Sequence, residues 1–436
     1  MNAVPSALLL ILVPLLPLLL AFPALRSRLP WPRHIALLPA VVLLILPASI
    51  SIELPWLLLG TGLGIDGTGR LFLAMSVLIW IAAATLLHTV KGKTIDERFT
   101  TFFLLTLAGN LGAILATELV GFFAFLVLMG YAFYGLLVAG VDERTRRAAR
   151  LYLVLLILSD LALFEALLIA ASMTGDLGFE VVRQAMAQSP SSALYMSMVL
   201  AGFAARAAIW PSHFWLLRLF ASSQPAVAIL LGAVPVAIAL LGIVRWLPVG
   251  EITSPDLGLI VQGLGVAAML YAILAGIKRA QLKMLPAYVT IFATGLFAAV
   301  LGAGLSDSTV WNRYQHLIYF FIISVGFGVA VLTAAIGWLQ ARHHYLAAPV
   351  ELADDSGTRF DRWAGAVVRW AMQIGFDTLP RWRTAWLAKA GRLRRTHRWQ
   401  KELEGGESYL RRWRYAITLF LLLGILMVFV GISFPD

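Results

Sequence analysis

The chain has 436 residues, 60% of them hydrophobic and only 13% charged, roughly half the charged fraction of a soluble domain. It has no cysteine, which excludes disulfides, thiolate metal sites and iron–sulfur ligation by this chain. The net charge of +11 sits in short loops beside apolar runs, a pattern of membrane topology and anionic-lipid contact rather than of nucleic-acid binding.

A bilayer core takes about 20 apolar residues per helix. On that measure the sequence predicts an all-α integral membrane protein of about twelve spans: 5–22, 35–52, 70–90, 99–117, 119–140, 148–172, 194–220 (broken), 225–246, 257–276, 284–304, 314–339 and 415–433. The first run has no basic stretch before it and no cleavage pattern, so it reads as a retained helix rather than a signal peptide. Four regions follow: N-terminal helices over 1–69, a transmembrane core over 70–340, a basic amphipathic segment over 341–414 and a final helix over 415–436. Arg26, Arg28 and Arg33 mark the first loop, Lys91, Lys93 and Arg98 the third, Arg144, Arg146, Arg147 and Arg150 the fifth, and Lys278, Arg279 and Lys283 the ninth. The eleventh holds the large basic segment, and only the seventh, with Arg218 alone, is poor in charge. The positive-inside rule then places the odd loops in the cytoplasm of a bacterial inner membrane and both termini outside.

Three charges fall in the interior of predicted spans, away from their ends. Asp160 and Glu165 lie in the sixth, within LLILSDLALFEALL, five residues apart and so on different sides of a helix. Arg206 lies in the seventh, LYMSMVLAGFAARAAIWPSHFWLLRL, which breaks at Pro211. An ionisable residue in hydrocarbon points to function, and broken helices are how transporters build ion sites. The competing reading is a proline-kinked structural helix whose Arg206 pairs with a neighbouring acid; Asp160 or Glu165 would serve. Glu118, at a nearly loopless junction, reads as a solvated helix start. In 341–414, Phe360, Trp363, Val367, Trp370 and Ile374 recur at helical spacing, marking 359–399 as an interfacial segment for lipid headgroups or a partner. His343 and His344 are adjacent and face different ways. The sequence shows no metal site, no cofactor fingerprint and no catalytic constellation.

From the seventh to the tenth span the sequence resembles the antiporter-like membrane subunits of respiratory complex I, Mrp-type cation/proton antiporters and membrane-bound hydrogenases. The resemblance rests on RAAIWPSHFWL and its RLFASSQPAVAILL link, on QLKMLPAYVTI, on the closely joined pair within LAGNLGAILATELVGFFAFLVLMGYAFYGLLVAG, and on LSDLALFEALL. It covers roughly 70–340. It implies inverted five-helix repeats with broken helices, a lateral amphipathic helix and a last span, and work as one subunit of a multi-subunit ion-translocating complex. It also implies a break shaped by Pro211, His213 and Trp215, and an ion pathway through Arg206, Asp160, Glu165, Lys283 and His316.

The departures from the family are large. Its glutamate in the fifth helix falls on Val127, and its lysine in the broken helix on Arg206, which unlike Lys does not release a proton. Leu231 and Ala237 occupy titratable positions of the eighth helix. In the eleventh, Asn312, His316 and Phe320 fall on the family's His and Lys region, leaving His316 at most. The chain is thus expected to couple or support proton movement with a largely degenerate relay. Two alternatives within the resemblance are a non-conducting scaffold and the membrane subunit of an energised inorganic-carbon uptake system, whose members pair with a zinc-bearing partner. A quinone site at His213 and Trp215 is a fourth reading.

Overall fold

The structure, a computed structural model, describes residues 3–46, 50–54, 61–89, 97–139, 143–278 and 282–342. The expected docking stretch 359–399 and final span 415–433 lie outside the described residues. The chain divides into two units, Met1–Glu53 with Thr61–Ala353, and Leu54–Gly60 with Asp354–Asp436. All the helices described below belong to the first.

Prolines shape the N-terminal part. Helix α1 (Ala3–Leu20) is followed by the short α2 (Pro23–Arg26), α3 (Pro32–Ile35) and α4 (Leu38–Ile45), each opened by a proline in its first turn. The expected span 35–52 is therefore corrected: it is a short helix followed by a strand. Helix α4 ends as Leu46 turns extended, the conformation imposed on a residue that precedes proline, here Pro47. Beyond it ISIEL alternates in exposure along β1 (Ile50–Leu54), which pairs with β2 (Thr61–Ile65) in a two-stranded sheet. Alternation with period two suits a strand, not a helix.

The core then runs through α5 (Gly67–Thr89), α6 (Glu97–Leu115), α7 (Leu119–Val138), α8 (Glu143–Met173), the amphipathic α9 (Phe179–Ala187), α10 (Ser192–Arg206) and α11 (Phe214–Ser222). It continues through α12 (Pro225–Leu231), α13 (Val234–Trp246), α14 (Pro255–Lys278), a 3-10 turn at Leu282–Met284, α15 (Leu285–Ser306) and α16 (Ser308–Arg342). Among the described residues, eight stretches are long and apolar enough to cross a membrane, including Thr145–Met173 and Pro225–Trp246, and these eight match predicted spans. The predicted span 225–246 is interrupted at Gly232–Ala233, where Pro235 lacks the N–H that would bond the carbonyl of Leu231. From Ala226 to Trp246 it is buried throughout, and it forms the centre of the unit. Around its end, Phe122, Phe203 and Trp246 meet edge to face at 5.6–6.2 Å between ring centres.

Helices α14 and α15 meet backbone to backbone. A Cβ on Gly265 would lie 2.4 Å from the Ala299 nitrogen, and one on Gly302 would lie 2.4 Å from that of Gln262. Gly258 and Gly295 sit on the same contact, so glycines seven residues apart on each helix face one another, as small residues do where membrane helices approach closely.

The loops sort by end. At one end β2 bridges Ala116, Glu118 bridges Gly178, Ser254 donates to Leu305 at 2.7 Å, and Asn312 donates to Gly250 at 3.3 Å. At the other, Arg26 donates to Thr101 at 2.6 Å, Thr145 to Ser222 at 3.2 Å, and Lys283 to Ala221 at 2.8 Å. Where they are described, the even loops share the first end, and the first, third, fifth, seventh and ninth share the second.

Candidate functional site

The seventh predicted span is broken: α10 ends at Arg206 and α11 begins at Phe214. Backbone groups freed at membrane depth need protein partners, and they find them here. The indole N–H of Trp215 donates to the Ala205 carbonyl at 3.0 Å, and the Ile209 amide to Ala204 at 3.1 Å. Ala207 donates to Phe203 at 2.8 Å and Ser212 to Ile209 at 2.8 Å. Ala208 takes φ +53°, a left-handed conformation that costs alanine about 1–2 kcal/mol. Such strain persists where the surroundings over-determine it. Trp215 is fully buried and leans on Tyr152, with 5.0 Å between rings. His213, also fully buried, packs on Tyr271 at 4.4 Å. Pro211, His213 and Trp215 thus all lie at the break, and the Trp215 N–H is bonded to backbone.

Arg206 is the last residue of the first half-helix and only 3% exposed. Its Nε donates to the Ser159 hydroxyl at 2.8 Å, and its Nη2 pairs with a carboxylate oxygen of Asp160. Ser159 in turn donates to the Gly202 carbonyl at 2.8 Å, tying α8 to α10. Room for the guanidinium comes from α7: a Cβ on Gly130 would stand 2.9 Å from Nη1 of Arg206. Tyr131 lies near the Asp160 carboxylate. A cation that keeps its proton and a carboxylate that it fixes make a stationary ion pair, capable of setting a local field but poor at relaying protons.

The remaining candidates do not join this pair. Glu165 is exposed on the outward side of α8. Lys283 binds the Ala221 carbonyl at the far end of the second half-helix. His316 is exposed near the start of α16 and lies edge-on to Tyr319. Lys283 precedes α15 and His316 lies more than two turns into α16, the helix that follows it. Of the positions that the resemblance sets against titratable residues, Leu231 and Ala237 are buried and Phe320 is 69% exposed. Glu118 is the N-cap of α7, accepting from the Gly121 amide at 3.3 Å. It is half-buried rather than the solvated start expected, and burial raises its carboxyl above the usual range.

A second charged centre, not anticipated from the sequence, lies at the even-loop end. Arg245 is 9% exposed and donates to the carbonyls of Ile114 at 2.9 Å and Ala116 at 3.0 Å, closing the end of α6. Its other amino group meets Asp66 at 3.2 Å, and Asp66 accepts from the Gly69 amide at the start of α5. A cation on the last carbonyls of a helix is favourable. The pair borders a cavity of about 430 Å³ also lined by Glu180, Arg183 and Tyr319. In sequence Arg245 is merely a basic residue at a helix end; its partners are 129 and 179 residues away. Among the described residues no cluster of side chains suits a metal ion.

Residues 116–345 match the family model described as NADH:quinone oxidoreductase/Mrp antiporter, TM. NADH-quinone oxidoreductase subunit N 1 of Streptomyces griseus is 27% identical over 271 residues, 61% of this chain and 57% of that protein. The chain thus spans little more than half the length of that relative. A chain in the solved Mrp complex from Dietzia sp. DQ12-45-1b superimposes with a TM-score of 0.58 at 20% identity, over 78% of this chain and 62% of that one. A chain of the membrane-bound sulfane sulfur reductase, an archaeal respiratory membrane complex, does so with 0.64 at 19% identity, over 78% and 72%. At these identities the two structures establish the all-α membrane fold. With more than half of its length matched, the chain belongs to the NADH:quinone oxidoreductase/Mrp antiporter transmembrane family.

Proposed function

We propose that the chain is a membrane subunit of a multi-subunit ion-translocating complex, supporting ion movement that its neighbours carry. The carrying observation is the direct Arg206–Asp160 pair at the helix break, with the Ser159 hydroxyl as a second acceptor of Arg206. In this reading the pair is a fixed-charge element whose field couples the break to charge moving in an adjoining subunit. Water bridging several apolar positions in succession needs polar partners that Leu231 and Ala237 do not supply. Residues 359–399 dock a partner or anionic headgroups, the basic loops face the cytoplasm, and both termini lie outside. The core over 70–340 is the coupling region.

The test is the assembled complex purified gently from its own membrane. Arg206→Ala is expected to abolish coupled ion movement while the partner subunits still co-purify. Persistence of coupled activity in that variant contradicts a coupling role. The scaffold reading gains from one feature: the donors of Arg206 and Lys283 go to side chains and backbone within the chain. On that reading Arg206→Ala lowers stability alone, and deletion of 356–405 detaches the partner. Recovery of a single large soluble zinc-bearing protein would instead support carbon uptake.

A further inference from the structure

Helix α8 has two sides that differ in character. Its inward side, including Tyr152, Leu156, Ser159, Leu163 and Ala166, is buried against the bundle. Its outward side carries Ile157, Leu158, Leu161, Phe164 and Leu168, each between 45% and 58% exposed. These positions recur with helical period and form one stripe. In the middle of that stripe, exposed among leucines, stands Glu165. Among the described residues it has no hydrogen bond or ion pair.

Depth makes this costly. Glu165 is eight residues from the end of the membrane stretch Thr145–Met173, about 12 Å along the helix. A hydrocarbon core of about 30 Å centred on that stretch reaches past it by about 5 Å. A carboxylate there, facing lipid tails, is unfavourable, and glutamate is too short to reach the headgroups as lysine does. The outward side of α14 shows what an ordinary lipid face looks like in this protein: Leu259, Ile260, Leu270, Ile273, Leu274 and Ile277 are 46–74% exposed, with no charge among them.

We propose that the outward stripe of α8 is an intramembrane docking face for a transmembrane helix of another subunit, which brings a lysine or arginine to the level of Glu165. The leucines supply packing surface, and the carboxylate selects a partner by charge and fixes its depth. This rests on the reading of the chain as a subunit of a complex. It adds a second interface, on the side of α8 turned away from Ser159 and α10, through which charge in a neighbour comes within one helix diameter of the Arg206–Asp160 pair.

The chain has no cysteine, so an introduced cysteine is the single attachment point for a thiol reagent on this chain. Leu161→Cys and Leu168→Cys, in the full chain in its own membrane, are treated with a short thiol-reactive photocrosslinker; Leu274→Cys on α14 is the control. Expected is an adduct from both α8 positions to one membrane-spanning partner, mapped to a helix holding a Lys or Arg, and none from Leu274→Cys. Glu165→Lys should reduce that adduct by about tenfold or more, and Glu165→Gln, which still hydrogen-bonds, by less. Partners that co-purify without an α8 adduct overturn this interface and leave the subunit reading standing; absence of any partner overturns both. Adducts only to lipid, to a second copy, or to residues 343–436 of the same chain also overturn it, as does an adduct indifferent to Glu165→Lys.

Discussion

Asp160→Ala and Arg206→Met remove opposite halves of one ion pair, yet they are expected to be unequal. Deleting one member of a buried pair costs about 3–5 kcal/mol, mostly by stranding the other. The stranded group's penalty is capped by the cost of neutralising it. A carboxyl gives up its charge at pH 7 for about 4 kcal/mol, whereas a guanidinium effectively keeps its proton in proteins and has no such escape. Asp160→Ala leaves Arg206, 3% exposed, with the Ser159 hydroxyl as its acceptor. Arg206→Met leaves a carboxyl that escapes by taking a proton. The assay is the thermal midpoint of the purified chain in detergent, read by loss of the monodisperse peak. Asp160→Ala should melt several degrees below Arg206→Met, since about 1 kcal/mol shifts a domain of this kind by roughly 2–4 °C. The double variant Asp160→Leu with Arg206→Met should recover most of the loss, because a packed apolar pair replaces a buried ionic one at little cost. Equal midpoints, the reverse order, or a double variant as damaged as the sum of the singles would refute the assignment of a stationary, mutually dependent pair.

The glycine contact gives a prediction with a built-in control. Gly265→Val forces α14 from α15 and should cost about 1–3 kcal/mol, while Gly263→Ala, with nothing within 4 Å of its added Cβ, should be neutral or stabilising by up to about 1 kcal/mol; thermal midpoints distinguish them. Arg245→Met strips its cap from the Ile114 and Ala116 carbonyls and should destabilise by about 1–3 kcal/mol, with faster amide exchange at Thr117 and Leu119. Glu118→Gln keeps an acceptor for the Gly121 amide and removes a charge that burial disfavours. Burial holds the folded pKa of Glu118 above its unfolded value of 4.5, so the wild-type side chain is best tolerated in acid and loses stability as pH rises through the folded value. The variant should therefore melt higher than wild type at pH 8, and the gap should close towards pH 4.5.

Much of this was legible in the sequence because hydrophobic length dictates membrane helices almost regardless of context. Eight predicted spans stand as helices, and the break at Pro211 was visible because proline and an arginine together interrupt an apolar run. The run 35–52 was misread because its apolar content concealed Pro47 and the alternation of ISIEL. The pairing of Arg206 with Asp160 was one of two open choices. What decided it was the rotation of α8, which turns Ser159 inward and Glu165 outward, and that rotation is set by packing against α7 and α10. Gly130, which makes room for the guanidinium, carries no chemical signal of its own. The Arg245 centre was hidden for a different reason: it joins groups more than a hundred residues apart, and its main acceptors are backbone carbonyls, which every residue has.

The most direct test of the central claim is proton flux through the chain alone. Purified protein is reconstituted in liposomes with an imposed membrane potential, and an entrapped pH-sensitive dye reports the interior. A fixed ion pair without a continuous relay predicts flux no greater than in empty liposomes, unchanged by Arg206→Ala. Flux well above that baseline, lost in Arg206→Ala or Asp160→Asn, would contradict the account and show that the chain conducts through the break.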